Sequence, residues 1–316
     1  MPWTASDIPD QTGRTVVVTG ASSGLGAATT IALSTRGAHV ILANRSAERS
    51  RELMDRIRQR HPAASLEHLP LDLADLRNVE SAAARLADQH PRIDVLIANA
   101  GVMATPMLRT TDGFEFQLGV NHLGHVALVG QLLPQLLASD DARVVVVASN
   151  VHRLGDIDLD DLNWETRPYQ RWVAYGRSKL ANLLHVDELQ RRFDQAGTDA
   201  IAVAAHPGYT DTALHTAGPS MGARSAAPLL RTAARIGGAL VAQPASQGAL
   251  PQLYAATAPG VPGGSYWGPD GPGEMRGSPA PAARSRAATD PDLAAGLWDL
   301  SEHLTGVTTA LPGSQL

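Results

Sequence analysis

The sequence predicts an α/β fold built on a parallel sheet with helices on both faces. Short β-branched runs alternate with helical patterns through the first two-thirds of the chain. Those runs are apolar throughout, as strands covered on both sides must be. With 316 residues, 44% apolar and 18% charged, the chain has enough material for one large domain and is neither disordered nor fibrous.

Residues 14–19 (RTVVVT) read as a buried strand, 25–36 as a helix stopped by Gly37, and 38–43 as a second strand. Residues 48–60 carry Leu53, Met54 and Ile57 at helical spacing and end before Pro62. A weaker strand follows at 65–71, a helix at 79–89 and a strong strand at 93–98 (IDVLIA). Residues 121–138 form an apolar helix, with Pro134 expected to bend its last turn. The clearest strand is 143–148 (RVVVVA); a long helix spans 172–193 and another strand 200–205. Residues 209–248, rich in Ala, Gly, Ser and Pro, are read as a flap over a site. Residues 259–281 are read as an edge strand around 265–267 plus wrapping loops, within a C-terminal wrapping segment over 259–316. Neither segment looks like a separate domain, so one domain is expected over 1–316.

The net charge of −5 argues against a nucleic-acid partner, which would need a concentrated basic face. The absence of cysteine excludes disulfides, thiolate metal sites and a cysteine nucleophile. No signal pattern or membrane-length apolar run is evident, so a cytoplasmic location without membrane partners is expected.

Thr19-Gly20-Ala21-Ser22-Ser23-Gly24-Leu25-Gly26 joins the first strand to the first helix. Glycines there let the backbone approach a diphosphate, and the helix N-terminus offers free N–H groups. Asn44-Arg45 ends the second strand, where an NAD enzyme would carry an acid for the ribose. A guanidinium instead can pair with a 2′-phosphate, with Ser22 and Ser23 as further donors. NADP(H) is therefore the expected cofactor and NAD(H) the alternative. Asp72-Leu73 and Asn99-Ala100-Gly101 follow the third and fourth strands, in the row where ligands of such sheets sit. Asp72 either accepts from an adenine amino group or caps the next helix.

Of the 26 basic residues, 25 are arginine; the single lysine, Lys179, follows Tyr175 by four. On a helix the two share a face. The ammonium is expected to pull the phenol below its usual pKa near 10, giving an acid/base for neutral pH. Ser149, at the end of the fifth strand, could hold a carbonyl oxygen beside it. Asn121 opens the apolar helix, as an N-cap or a site residue.

No metal site is expected. His122, His125, His152 and His206 lack a carboxylate shell. The run from Asp156 to Asp161 starts like a calcium loop but lacks the turn glycine and the closing glutamate, so it reads as a solvated acidic loop. A serine hydrolase would need a G-x-S-x-G elbow, absent at Ser149.

Taken together, TGASSGLG (19–26), NAG (99–101), Asn121, Ser149 and YGRSK (175–179) resemble the short-chain dehydrogenase/reductase family over residues 13–215. NHLGH (121–125), His152, HPG (206–208) and YWGPDGPGEMRG (266–277) resemble its retinol-dehydrogenase and WW-domain-oxidoreductase branch. The resemblance implies a single Rossmann-type, doubly wound domain of about seven parallel strands. It implies Tyr175 as proton donor or acceptor and Lys179 as the group that tunes it and binds the nicotinamide ribose. Ser149 would orient the carbonyl, and Asn121 would hold a water linking Lys179 to solvent. Pro207, Gly208 and Thr212 would seat the nicotinamide carboxamide. Relatives often pair through helices matching 121–138 and 173–193, so a homodimer or homotetramer is expected. Ala148, where a second serine is common, and Thr210, where an apolar residue is usual, depart from the pattern.

The expected function is hydride transfer between NADP(H) and a carbonyl or alcohol of a small molecule. The low charge of 209–248 points to an uncharged or partly apolar substrate. Cofactor-recycling isomerases or lyases of the same fold, and a non-catalytic NADP(H)-binding protein, are the alternatives.

Overall fold

The computed structural model describes residues 2–210, 242–309 and 311. Eight strands form one sheet: β1 (Thr15–Thr19), β2 (His39–Asn44), β3 (Ser65–Pro70), β4 (Val95–Ala98), β5 (Arg143–Val147), β6 (Ile201–Ala205), β7 (Tyr266–Pro269) and β8 (Pro279–Pro281). Their order is β3-β2-β1-β4-β5-β6-β7-β8. All neighbours are parallel except β7 and β8. The fold is the expected doubly wound one, with one antiparallel edge strand added. The prolines of β8 cannot donate outward, which blunts that edge. Strand order reverses between β1 and β4, so a crevice opens at their carboxyl ends.

Helices α1 (Gly24–Ser34), α2 (Ala47–Arg60), α3 (Leu76–Gln89), α4 (Gly124–Leu137) and α5 (Arg171–Gln195) connect the strands. Both sheet faces carry a continuous buried core; Val17, Ile41, Leu96 and Val144 face one side, and Val16, Val40, Ile97 and Val145 the other. A π turn, Gly119–Leu123, precedes α4, and α4 runs through Pro134 to Leu137.

Two helices were not legible as such. Residues Leu250–Thr257 form α6, and Pro291–Thr305 form α7 within the expected wrapping segment. The signals for α7 were local: Asp290 caps Asp292 and Leu293, Pro291 occupies the first turn, and Gly306 (φ 68°) ends it. α7 packs across α4 and α5: His122 Nε2 lies 3.0 Å from Ser301 Oγ, and Trp298 stacks on His185 at 5.1 Å. It thus covers part of the surface expected to pair two copies. Most of the expected flap, 211–241 with Thr212, lies outside the described residues.

Candidate active site

β1 ends at Thr19, and the chain turns at Gly20 (φ 65°) into α1. A Cβ on Gly20 would sit 2.9 Å from Ala100 Cα; one on Gly26 would sit 2.2 Å from Gly20 O. Glycine at both positions lets turn, helix and the end of β4 press together. Ser23 is the N-cap of α1 but makes no side-chain capping bond. The first-turn N–H groups and the Ser22 and Ser23 residues therefore border a cleft of about 1280 Å³ at the carboxyl ends of the strands. Gly24, Leu25 and Gly26 line it too.

Asn44, Arg45 and Arg49 line the same end. The Asn44 amide is held by Ser50, at 2.8 and 3.0 Å, and accepts from Ser46 N, which fixes the main chain that presents Arg45. Arg45 Nη1 lies 3.9 Å from Asp72 Oδ2 and is largely exposed. Asp72 does not cap the next helix. Its Oδ1 accepts from Ala74 N, and Asp75 caps α3. Asp72 and Leu73 both line the cleft.

Below the glycine turn, Thr19 Oγ1 accepts from Asn99 N and Ala100 N, each at 2.9 Å. With those two lone pairs used, its proton is free to go to His125 Nε2, 2.9 Å away. His125 Nδ1–H then donates to Asn121 O at 3.1 Å. Burial holds His125 neutral, with a pKa pushed down to about 3. Asn99 Nδ2 donates to Thr19 O at 2.8 Å, and Gln252 on α6 bridges Thr29 and Asn99. Asn121 is therefore no N-cap. It sits buried in the π turn, accepting from Val102 N and donating to Val102 O and Ser178 Oγ.

α5 presents Tyr175, Ser178, Lys179 and Asn182 toward the end of β5. Lys179 Nζ donates to Val147 O at 2.8 Å and lies 5.9 Å from the centre of the Tyr175 ring. Asn182 Nδ2 reaches the same carbonyl at 3.2 Å. Ser149 lies close enough to the Tyr175 hydroxyl to favour its ionised form. Tyr175, Lys179 and Ser149 all face the cleft, beside Gly101. The phenol differs from the sequence expectation: its pKa is pushed up to about 12, because burial outweighs the lowering effect of Ser149. Burial likewise pushes Lys179 down to about 8.

Residues 14–221 match the short chain dehydrogenase family. The chain belongs to that family. Human retinol dehydrogenase 13 is 38% identical over 299 residues, covering 93% of this chain and 85% of its own, which agrees with the branch the motifs resemble. A crystal structure of an uncharacterised protein from Mycobacterium paratuberculosis is 44% identical, with a TM-score of 0.81, covering 98% of this chain and 100% of that one. A 3-oxoacyl (acyl-carrier-protein) reductase from Agrobacterium tumefaciens, solved with NADP bound, is 25% identical, with a TM-score of 0.62 over 81% of this chain and 92% of that one.

In this short chain dehydrogenase the late chain builds one wall of the cleft. Pro207 and Gly208 line it with Gly273, Glu274 and Met275. Gly208 (φ 64°) lies so close to Met275 that a Cβ would meet its carbonyl at 2.4 Å. Tyr209 N donates to Met275 O at 2.7 Å. His206 accepts from Gly208 N at Nδ1, so its Nε2–H donates to Glu274 at 3.0 Å. Glu274 also accepts from Ala283 N. His152 accepts from Ser285 N at Nε2, so its Nδ1–H donates to Ser149 O at 2.7 Å.

Sequence reasoning missed Arg49, Glu274 and Met275, and the apolar wall of Val102, Met103, Phe116, Val120, Val151 and Trp172. Arg49 had a signal, four residues past Arg45 in the first turn of α2; the others had none. The acidic loop is also not simply solvated. Asp161 is buried and bonded to Glu165 N and Thr166, and main-chain oxygens of Asp156, Asp161 and Leu162 receive the wholly buried Arg177. No helix among the described residues is long and apolar enough to cross a membrane.

Proposed function

We propose that the protein is an NADP(H)-dependent oxidoreductase interconverting a carbonyl and an alcohol, with Tyr175 as acid/base. The observation that carries this reading is the joining of two parts in one cleft. The glycine turn with its uncapped helix start lies at one end, and the Tyr175–Ser149 pair backed by Lys179 at the other. A cleft of about 1280 Å³ exceeds the roughly 300–1,000 Å³ that one small ligand needs, so it suits a long cofactor and a substrate together.

The residues present fit a dinucleotide. The start of α1 with Ser22 and Ser23 would hold the diphosphate, and Arg45 with Arg49 a 2′-phosphate. Asp72 and Leu73 would flank the adenine, and Asn99, Ala100 and Gly101 the adjoining ribose. Lys179, Pro207 and Gly208 would border the nicotinamide end. The NADP reported with the Agrobacterium reductase supports the same cofactor here. The bound cofactor supplies or takes up the hydride.

Ser149 holds the substrate oxygen. Tyr175, a phenol already protonated at neutral pH and held so more firmly by burial, gives its proton to that oxygen as the carbonyl is reduced. The phenolate left behind is stabilised by Ser149 and by Lys179, still charged at pH 7. Asn121 acts by holding Val102 and Ser178, which frame the pair. A protonated phenol suits reduction. Met103, Phe116, Val151, Trp172 and Met275 favour an uncharged, partly apolar substrate.

The test is a panel of ketones, aldehydes and alcohols, followed by reduced-nicotinamide absorbance with each cofactor, for wild type and Tyr175→Phe. Turnover with NADPH that Tyr175→Phe abolishes, while cofactor binding survives, is expected. Product formation with no net change in absorbance would mean a cofactor-recycling isomerase or lyase. Binding without any turnover would mean a non-catalytic protein.

A further inference from the structure

At the amino end of the sheet, away from the cleft, three side chains from three elements converge. His39 opens β2, Glu67 lies in β3, and His90 follows α3 as its C-cap. β2 spans six residues from His39 to Asn44, about 16 Å end to end at the rise of a strand, so this cluster is remote from the cofactor site. Their ligand atoms lie within 4.8 Å of one another. Glu67 Oε2 stands 3.0 Å from His90 Nε2 and 3.6 Å from His39 Nε2. Two donors bound to one tetrahedral zinc are about 3.3 Å apart, since each bond is about 2.0–2.1 Å.

The surroundings fit a ligand set. His39 Nδ1 lies 2.7 Å from Ser65 Oγ, the residue it pairs with across the β2–β3 ladder. That bond fixes the ring and, with Nδ1–H as donor, leaves the Nε2 lone pair aimed at the carboxylate. Ligating histidines are oriented in this way by an outer hydrogen bond. His39 Nε2 is buried and, at 3.6 Å, too far from Glu67 for a hydrogen bond. Arg85 approaches the other carboxylate oxygen, Oε1, at 3.9 Å, and so leaves Oε2 to the two imidazoles. The three side chains are part-exposed, so the cluster lies at the protein surface.

We propose that His39, Glu67 and His90 bind a divalent transition-metal ion of the zinc class, pinning edge strand β3 and the end of α3 to β2. The nitrogen/oxygen donor set suits zinc, and cobalt(II) as its spectroscopic stand-in. The histidines weighed from sequence were others, and these three are joined only by the fold.

Untagged, chelator-stripped protein is titrated with zinc by calorimetry, with cobalt(II) by visible absorption, and melted with and without zinc. One zinc per chain, a cobalt spectrum of low-symmetry four- or five-coordination and a zinc-dependent rise in melting temperature are expected. Ser65→Ala should weaken zinc by about tenfold or more, and Glu67→Gln and His90→Ala by more than that. His61→Gln, at an exposed histidine outside the cluster, should change nothing. Circular dichroism checks that each variant is folded. Wild-type protein that takes up no zinc, or folded variants that bind it as tightly as wild type, would overturn the proposal. NADPH binding and turnover should be unaffected throughout, which separates this outcome from that of the cofactor site.

Discussion

Gly155 and Gly176 meet backbone against backbone. A Cβ on Gly155 would lie 2.3 Å from Gly176 C, and one on Gly176 would lie 2.7 Å from Gly155 N and Val151 O. This contact lets the turn Asn150–Leu154 press directly on α5, which sets Ser149 beside Tyr175. Gly176→Ala must push the two apart. It should cost about 1–3 kcal/mol of stability and lower turnover more than cofactor affinity. Denaturant midpoints and steady-state kinetics check both; an unchanged midpoint would show that the turn yields freely.

Lys179 is held at a cost. Its pKa falls from 10.5 to about 8 because burial penalises the charge. Below about 8 the folded chain bears that penalty. Stability rises as pH climbs from about 8 toward 10.5, where the folded chain has released a proton the unfolded chain still binds. Lys179→Met removes the penalty and leaves Val147 O bonded to Asn182. At pH 7 it should stabilise the fold by on the order of 1–2 kcal/mol and abolish turnover. Urea unfolding of the two proteins measures the sign, and a destabilised variant would refute the burial cost.

Acid should unfold this protein early. Burial lowers His122 to about 4, and His125 and His185 to about 3, from 6.5. A depressed histidine contributes stability that is present above 6.5 and lost as pH falls, because only the unfolded chain takes the proton. Three such groups give a slope on the order of 4 kcal/mol per pH unit below about pH 6. Urea midpoints between pH 7 and pH 5 test this. A flat profile would mean that these rings are protonated in the folded state.

Arg45 and Arg49 should discriminate the cofactors. Both are exposed, so each contact is worth less than a buried one. Arg45→Ala and Arg49→Ala should each weaken NADPH roughly tenfold and leave NADH nearly unchanged. Fluorescence titration with both nucleotides measures the ratio; equal losses for the two would remove the 2′-phosphate role.

His152 is a positioning residue. It joins Ser149 O to Ser285 N, and burial lowers its pKa, favouring the neutral ring that bond pattern needs. His152→Ala leaves both main-chain groups without this partner and frees the serine to drift. A fall in kcat of about ten- to a hundredfold is expected, with cofactor affinity kept within about twofold. Loss of both in proportion would mark general unfolding instead.

Most of the sheet was legible because its strands are unbroken apolar runs; the glycine turn, Asn99–Gly101 and Ser149 fall at the strand ends that such a sheet dictates, and Tyr175 and Lys179 fall one turn apart on a helix. What escaped depends on the third dimension. The glycines and prolines of 259–281 masked how Glu274 and Met275 return to the cleft, and drew attention from α7 just beyond. The raised phenol escaped because helix spacing reports the nearness of Lys179 but not the depth of burial around Tyr175. His39, Glu67 and His90 carry no mutual signal until β2, β3 and α3 are assembled.

The bracing of Asn99 by Gln252 and of His206 by Glu274 fixes when the protein becomes competent during synthesis. A nascent chain that has left the ribosome as far as Lys179 already holds the glycine turn, the serine and the tyrosine, yet lacks both braces. The nucleotide cradle is finished only once Glu274 has emerged, so a premature stop between Lys179 and Glu274 should be as harmful as one within the motifs.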